Sequence, residues 1–191
     1  MKKLNLKDIL IPTVSLFLIC LIVTALLAVT NAVTAEKISE NEAEKKQESM
    51  QTVLPDAVLF EEIEIEEGEL YQGKDQSGNT VGYAVSTATQ GYGGQVKVMT
   101  GFDLKGTIIG VDVFYNDDET PGLGKNTSNE SFTDQYKGLS ANEDIAVSKD
   151  SAAGNAQTVD AVTSATISSR AVTKAVNMAG EIYRNIKKEA E

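Results

Sequence analysis

The 191-residue chain carries 28 acidic and 17 basic residues, a formal net charge of −11, one Cys and no His. So acidic a surface does not seek nucleic acid or anionic lipid, and without His or a second Cys the chain builds no zinc site, iron–sulfur cluster, disulfide or His-based triad. If the chain carries electrons, an organic cofactor is the natural carrier, since it brings the reactive chemistry and asks the protein for position and electrostatics.

From Ile9 to Ala35 no residue is charged, a run longer than the roughly 20 helical residues that cross a hydrocarbon core. A cleavable signal has a shorter apolar core of roughly 7–15 residues. The run therefore reads as a retained transmembrane helix over residues 9–35 rather than a signal cut after Val33-Thr34-Ala35. Cys20 is packing bulk, since Ile19 before it is too large for a lipoprotein signal. Lys2, Lys3 and Lys7 precede the span, and Glu36, Glu40, Glu42 and Glu44 follow it. The positive-inside rule counts the lysines, which places residues 1–8 in the cytoplasm and the C-terminal domain outside a single-pass cell-membrane protein.

Residues 36–54 are rich in Glu and Lys, include the i,i+4 pair Glu42/Lys46 and stop before Pro55. They form either a charged helical stalk or a disordered charged linker. Over 55–191 the pattern becomes that of one extracytoplasmic domain. Ile63 and Ile65 alternate with Glu62, Glu64 and Glu66; Val81, Tyr83 and Val85 alternate with smaller residues; Val96 and Val98 flank Lys97; Ile109, Val111 and Val113 alternate across Gly110 and Asp112. Period two marks strands. Gln76-Ser77-Gly78-Asn79 and Asp103-Leu104-Lys105-Gly106 put Gly where a hairpin needs it, and the Glu-lined strand is expected at an edge or facing solvent. From about Ile167 to Lys188, Ile167, Ala171, Val172, Ala175, Val176, Ala179, Ile182 and Ile186 recur at spacings of three and four. That is a helix whose apolar stripe packs on the sheet, with Lys187 and Lys188 at its negative end. The fold class is α+β, an antiparallel sheet packed with a C-terminal helix and preceded by one transmembrane helix.

Three segments carry candidate chemistry. Gly91-Tyr92-Gly93-Gly94 is either a flexible hairpin loop with a surface Tyr or a place where bare backbone and an aromatic ring approach a flat ligand. Glu119-Thr120-Pro121-Gly122-Leu123-Gly124 has Pro and Gly at the central positions of a type II turn, which holds Thr120 and Leu123 at set positions against a ligand face. Asp117, Asp118 and Glu119 lack the alternating spacing of a calcium loop and read as a solvated acidic turn, so no metal site is expected. Asp160-Ala161-Val162-Thr163-Ser164-Ala165-Thr166-Ile167-Ser168-Ser169 crowds hydroxyls at a helix N-terminus, where free N–H groups and the macrodipole attract an anion. There Thr166 is either an N-cap, its Oγ accepting from the N–H of Ser169, or a phosphate ester whose oxygens take over those donors. The Asn-x-Ser patterns at Asn126 and Asn129 are accidental.

In this order, the apolar span and the three segments resemble the FMN-binding G-type subunits of Rnf-type electron transport complexes, over almost the whole chain. The length suits those subunits better than their longer relatives, the C-type subunits of sodium-pumping NADH:quinone reductases. The resemblance implies FMN joined by a phosphoester to Thr166. Asp160, Thr163, Ser164 and Ala165 would surround the attachment point, and Tyr92, Gly93, Gly94, Glu119, Thr120, Leu123 and Gly124 would lie near the flavin ring. It implies an electron-relay subunit with no catalytic residues of its own, the redox part of a ferredoxin:NAD oxidoreductase. Other membrane subunits would hold the ferredoxin and NAD sites, electron flow would drive sodium or proton export, and a flavin transferase would attach the FMN. Asp160 matches the family's Asp and would assist the transferase or order the loop. Ser164 stands where the family usually has Gly, so a different backbone conformation and some hindrance to the transferase are expected. Asp117 and Asp118 occupy positions where relatives often have His. The alternatives are an extracellular electron-transfer flavoprotein and a membrane-anchored sensor or binding domain without a cofactor.

Overall fold

The computed structural model describes residues 6–65, 68–148 and 157–189. Lys2, Lys3 and Glu66, which enter the orientation and first-strand readings, lie outside them. Helix α1 spans Leu6–Val53 and is long and apolar enough to cross a membrane. It takes in the charged segment as well, so residues 36–53 are helical rather than a disordered linker. The chain divides into two compact units, Met1–Ala43 and Glu44–Glu191.

The second unit is built on a five-stranded antiparallel sheet of β1 (Leu59–Ile63), β2 (Glu69–Lys74), β3 (Thr80–Gln90), β4 (Gln95–Asp103) and β5 (Ile108–Tyr115), in that spatial order. Alternation sends Val85, Val96, Val98, Phe102, Val111 and Val113 to one face. There they pack with Val172, Ala175, Val176, Ala179 and Tyr183 of helix α3 (Thr166–Glu189). Each such side chain contributes about 1.5–3 kcal/mol when fully buried. The alanines let the helix close on the sheet, so that Thr87 and Thr89 of β3 donate to the carbonyls of Ala175 and Ala171 at 3.0 and 2.8 Å. Ile167, expected in the stripe, is instead 55% exposed. Ser168 and Ser169 take the inward positions of that turn, and a residue about 100° away on the helix faces out.

β1 is an edge strand, as its glutamates require, but it ends at Ile63, so Glu64 and Ile65 follow it rather than extend it. β2 has no counterpart in the alternation, because its consecutive Leu70 and Tyr71 are buried on opposite faces of the sheet.

The face opposite α3 is covered by Met50, Val53, Leu54 and Ala57, which pack on Tyr71, Ala84 and Met99. Gly101 and Gly110 sit directly across from each other on β4 and β5. The Val53 carbonyl occupies the space that a Cβ at Gly101 would need. The expected boundary at Pro55 thus falls inside a packed layer. Charge dominates residues 36–54, and the buried Ser49, Met50, Val53 and Leu54 are too few to show a helical stripe.

Between β5 and α3 lie a 3-10 turn (Gly124–Ser128), the short helix α2 (Glu130–Thr133), a second 3-10 turn (Asp134–Tyr136) and the parallel pair β6 (Ala146–Ser148) and β7 (Thr158–Asp160). These irregular pieces enclose the candidate site.

Candidate functional site

The β3–β4 hairpin closes through Gly91-Tyr92-Gly93-Gly94, with the Gly91 N–H donating to the Gly94 carbonyl at 2.8 Å. In the second segment the Leu123 N–H donates to the Thr120 carbonyl at 3.1 Å. Gly122 there has φ +77°, the two features that a type II turn requires. Glu119, immediately before that turn, is 2% exposed. Its Oε1 accepts from the Tyr92 N–H at 2.7 Å and the Gly93 N–H at 3.3 Å, and its Oε2 accepts from the Ser168 hydroxyl at 2.8 Å. One buried carboxylate therefore joins the hairpin loop, the turn and the start of α3. A Cβ at Gly91 or Gly124 would overlap this carboxylate, and one at Gly93 would overlap the Asp118 carbonyl. The room beside Gly91, Gly93 and Gly94 is filled by Asp118 and Glu119 of the chain's own acidic loop.

At the start of α3 the Ala165 carbonyl accepts the first helical bond, from the Ser169 N–H at 2.9 Å. Ala165, which is buried, therefore holds the N-cap position and Thr166 is the first helical residue, so of the two readings of Thr166 the N-cap is not formed. Ser169 Oγ instead accepts from the Val162 N–H and donates to the Ala165 carbonyl, both at 3.0 Å. Ser164 has φ +63°, the one positive value among described residues other than glycine. Its backbone is thus left-handed, the conformation that glycine favours. Thr166 is half-buried. Among the described residues its hydroxyl has no hydrogen-bond partner, and the N–H groups of Thr166, Ile167 and Ser168 meet no acceptor.

A cleft of about 540 Å³ opens beside this turn, lined by Gly122, Leu123, Asn126, Asn129, Ser131, Phe132, Gln135 and residues 160–164. Its size falls within the roughly 300–1,000 Å³ of small-molecule sites. The Gln135 amide fixes one wall, accepting from the Asp160 N–H at 2.7 Å and donating to the Asp160 carbonyl at 3.3 Å. Beneath it, burial pushes the Tyr136 hydroxyl well above the usual tyrosine pKa, and that hydroxyl lies 2.7 Å from Thr173 Oγ1.

The twelve sequence candidates thus fall into neighbouring groups. Leu123, Asp160, Thr163 and Ser164 line the cleft. Tyr92, Gly93, Gly124 and Glu119 meet at the buried carboxylate, while Gly94 packs on Asp118. Thr120 is exposed and serves the turn through its carbonyl. Thr166 lies in the chain between the cleft-lining Ser164 and the latched Ser168. Asp117 pairs with Lys45 at 3.4 Å and Lys125 at 3.8 Å, exposed contacts of little energetic weight. Ser168, Ser169 and Gln135 were not singled out from the sequence. Two adjacent serines on the inward side of an Ala/Val stripe were the available signal, since Ser disfavours helix interiors unless its hydroxyl has a task. A free hydroxyl followed by free N–H groups is the donor set that a phosphate ester takes, so the residues present fit a nucleotide cofactor.

Comparison with known proteins points the same way. Residues 1–53 match the RnfG N-terminal region, and residues 91–181 match the FMN-binding domain. The chain is 38% identical to the G subunit of the Na(+)-translocating ferredoxin:NAD(+) oxidoreductase complex of Acetobacterium woodii, over 91% of this chain and 90% of that protein. It is 34% identical to the G subunit of the ion-translocating oxidoreductase complex of Methanosarcina acetivorans, over 91% and 93%. Among solved structures it is similar to the C subunit of the Na(+)-translocating NADH-quinone reductase from Parabacteroides distasonis, with a TM-score of 0.51 and 26% identity over 60% of this chain and 61% of that one. Shewanella oneidensis NqrC shares the fold, with a TM-score of 0.50 at 19% identity over 67% of each chain. With an RnfG N-terminal region, an FMN-binding domain and relatives this similar along nearly their whole length, the chain belongs to the RnfG family of ion-translocating oxidoreductase subunits.

Proposed function

We propose that this chain is the flavin-carrying electron relay of an ion-translocating ferredoxin:NAD oxidoreductase, with FMN joined through its phosphate to the Thr166 hydroxyl. The observation that carries this reading is the unpartnered Thr166 hydroxyl at the head of α3, followed by free N–H groups and two residues along the chain from Ser164, which lines the cleft. Attachment is a transesterification at that oxygen. Thr166 Oγ bonds to the flavin-side phosphorus of FAD, the bond from that phosphorus to the bridging oxygen breaks, AMP leaves with that oxygen, and the hydroxyl proton passes to solvent. A flavin transferase catalyses the step.

Thr163, Ser164 and Asp160 line the space beside the linkage. Tyr92, Leu123 and Ile167 are 70%, 41% and 55% exposed, and each belongs to a segment gathered at Glu119, so together they offer apolar surface to a ring. Bound FMN supplies one- and two-electron chemistry, which suits relay between unlike partners. A tether through the phosphate leaves the ring unmodified and keeps the cofactor where no free FMN pool replaces it. In this reading residues 1–8 are cytoplasmic, 9–35 span the membrane, 36–54 lead out of it and 55–191 carry the flavin outside. The three lysines ahead of the span support the orientation. Ferredoxin, NAD and sodium or proton export belong, in this reading, to the other membrane subunits, and the names of the relatives support the overall reaction of such a complex.

The test is direct. The chain is produced in a host that has the transferase and FAD, then denatured in SDS. Its band is expected to fluoresce yellow-green, Thr166→Ala to be dark and Thr163→Ala to stay bright; a dark wild-type band would sink the reading.

A further inference from the structure

We infer that Glu119 is a positioning residue, not a cofactor ligand: it holds the first turn of α3, and with it Thr166, in flavin-accepting geometry before any flavin arrives. The inference rests on the reading of Thr166 as the attachment point.

The Glu119 carboxyl accepts from Tyr92, Gly93 and Ser168, all within its own chain. At 2% exposure it has no free face left for a ligand. Burying a polar group is costly unless hydrogen bonds replace its water, so the contacts and the burial sustain each other. The turn that holds Thr166 is thereby fixed at two points of different kind. Ser169 ties it locally, to Val162 and Ala165. Ser168 ties it across 49 residues to Glu119, which is bonded in turn to a loop 27 residues away. Thr166 itself is left free. Glycine at both 91 and 124 makes room for the carboxylate, since a Cβ at either would overlap it. Such preorganisation removes the ordering cost from the moment of modification.

The apo chain and its Glu119→Ala, Glu119→Gln and Ser168→Ala variants are given purified transferase and FAD. Flavin attachment is timed on the denatured band, and amide hydrogen exchange is measured on the apo chains. Glu119→Ala is expected to slow attachment about ten- to a hundredfold and to speed exchange at Tyr92, Gly93 and the first turn of α3, with melting still cooperative. In Glu119→Gln the amide oxygen accepts from the two N–H groups and the NH2 donates to Ser168 Oγ, so attachment stays close to wild type. Ser168→Ala slows attachment and loosens the helix turn while leaving Tyr92 and Gly93 protected. Wild-type attachment rates in Glu119→Ala or Ser168→Ala would overturn the inference, as would a Glu119→Gln loss equal to that of Glu119→Ala. If Glu119→Ala does not fold, Ser168→Ala decides alone. A wild-type chain that takes no flavin defeats the Thr166 reading instead, and the exchange data then support or overturn the latch by themselves.

Discussion

Ser164 shows how much one backbone angle carries. Its φ of +63° lies where a side chain costs about 1–2 kcal/mol, and the compact loop it closes, with the Ala165 N–H bonded to the Val162 carbonyl at 3.0 Å, gives it no way to relax. Ser164→Gly removes the strain and adds some freedom to the unfolded chain, about 0.4–1 kcal/mol. A net gain of about 0.5–1 kcal/mol is expected in chemical denaturation, and Ser164→Val is expected to lose stability. A glycine variant no more stable than wild type would show that the turn relaxes in solution. At this scale the sequence marked the hydroxyl cluster at the helix start, and the family resemblance singled out Thr166 within it. It placed Ser168 in that cluster but did not name its partner Glu119, which is brought near only by the fold.

The two hairpins flanking the β3–β4 pair use the same device. Asp75 and Asp103 each accept at Oδ1 from two backbone N–H groups, of Ser77 and Asn79 and of Lys105 and Thr107. Each loop ends on a left-handed glycine, Gly78 at φ +81° or Gly106 at φ +86°. Their surroundings differ. A Cβ at Gly78 meets open space, whereas one at Gly106 comes within 2.8 Å of the Tyr183 ring. Gly78→Ala is expected to cost about 1–2 kcal/mol for the conformation alone, and Gly106→Ala about 1–3 kcal/mol more for the overpacking; equal losses in a denaturant titration would contradict this.

The same loops respond to acid. The Asn79 backbone N–H, its side chain and the Ser77 N–H hold the Asp75 carboxyl below its ordinary value. Burial pushes Asp103 upward, but the Thr107 and Lys105 N–H groups outweigh it and leave its carboxyl lowered as well. Because folding favours both carboxylates, the stability they add is complete above the ordinary Asp pKa of about 4 and is lost as pH falls through the lower folded value. The melting temperature is expected to drop as pH falls below about 4, less steeply in Asp75→Asn and Asp103→Asn. These hairpins, strands β3 to β5 and helix α3 were legible because alternation, turn glycines and a 3.6-residue stripe are local signals. β2 was not, with both of its faces buried in succession, and neither were β6 and β7, three residues each.

For the whole chain, the compact unit begins at Glu44, ahead of the composition break at Pro55. Val53 and Leu54 are fully buried and Met50 nearly so, and each such side chain contributes about 1.5–3 kcal/mol. A chain beginning at Glu44 is therefore expected to melt cooperatively, whereas one beginning at Pro55 loses several kcal/mol, on the order of the total stability of a domain, and exposes Met99 and Ala84. Comparable melts for the two would show that the helix end is dispensable. The seat for Val53, made by the facing glycines of β4 and β5, also sets a timetable. The helix end leaves the ribosome first, and at about 5–20 residues per second its seat follows roughly 3–11 s later. During that interval Met50, Val53 and Leu54 stand uncovered on a nascent chain. The strand face they protect stays open until a long loop closes, the slow kind of contact in folding. The step most exposed to misassembly in this chain is thus the return of its earliest-made layer, and slower translation lengthens that exposure.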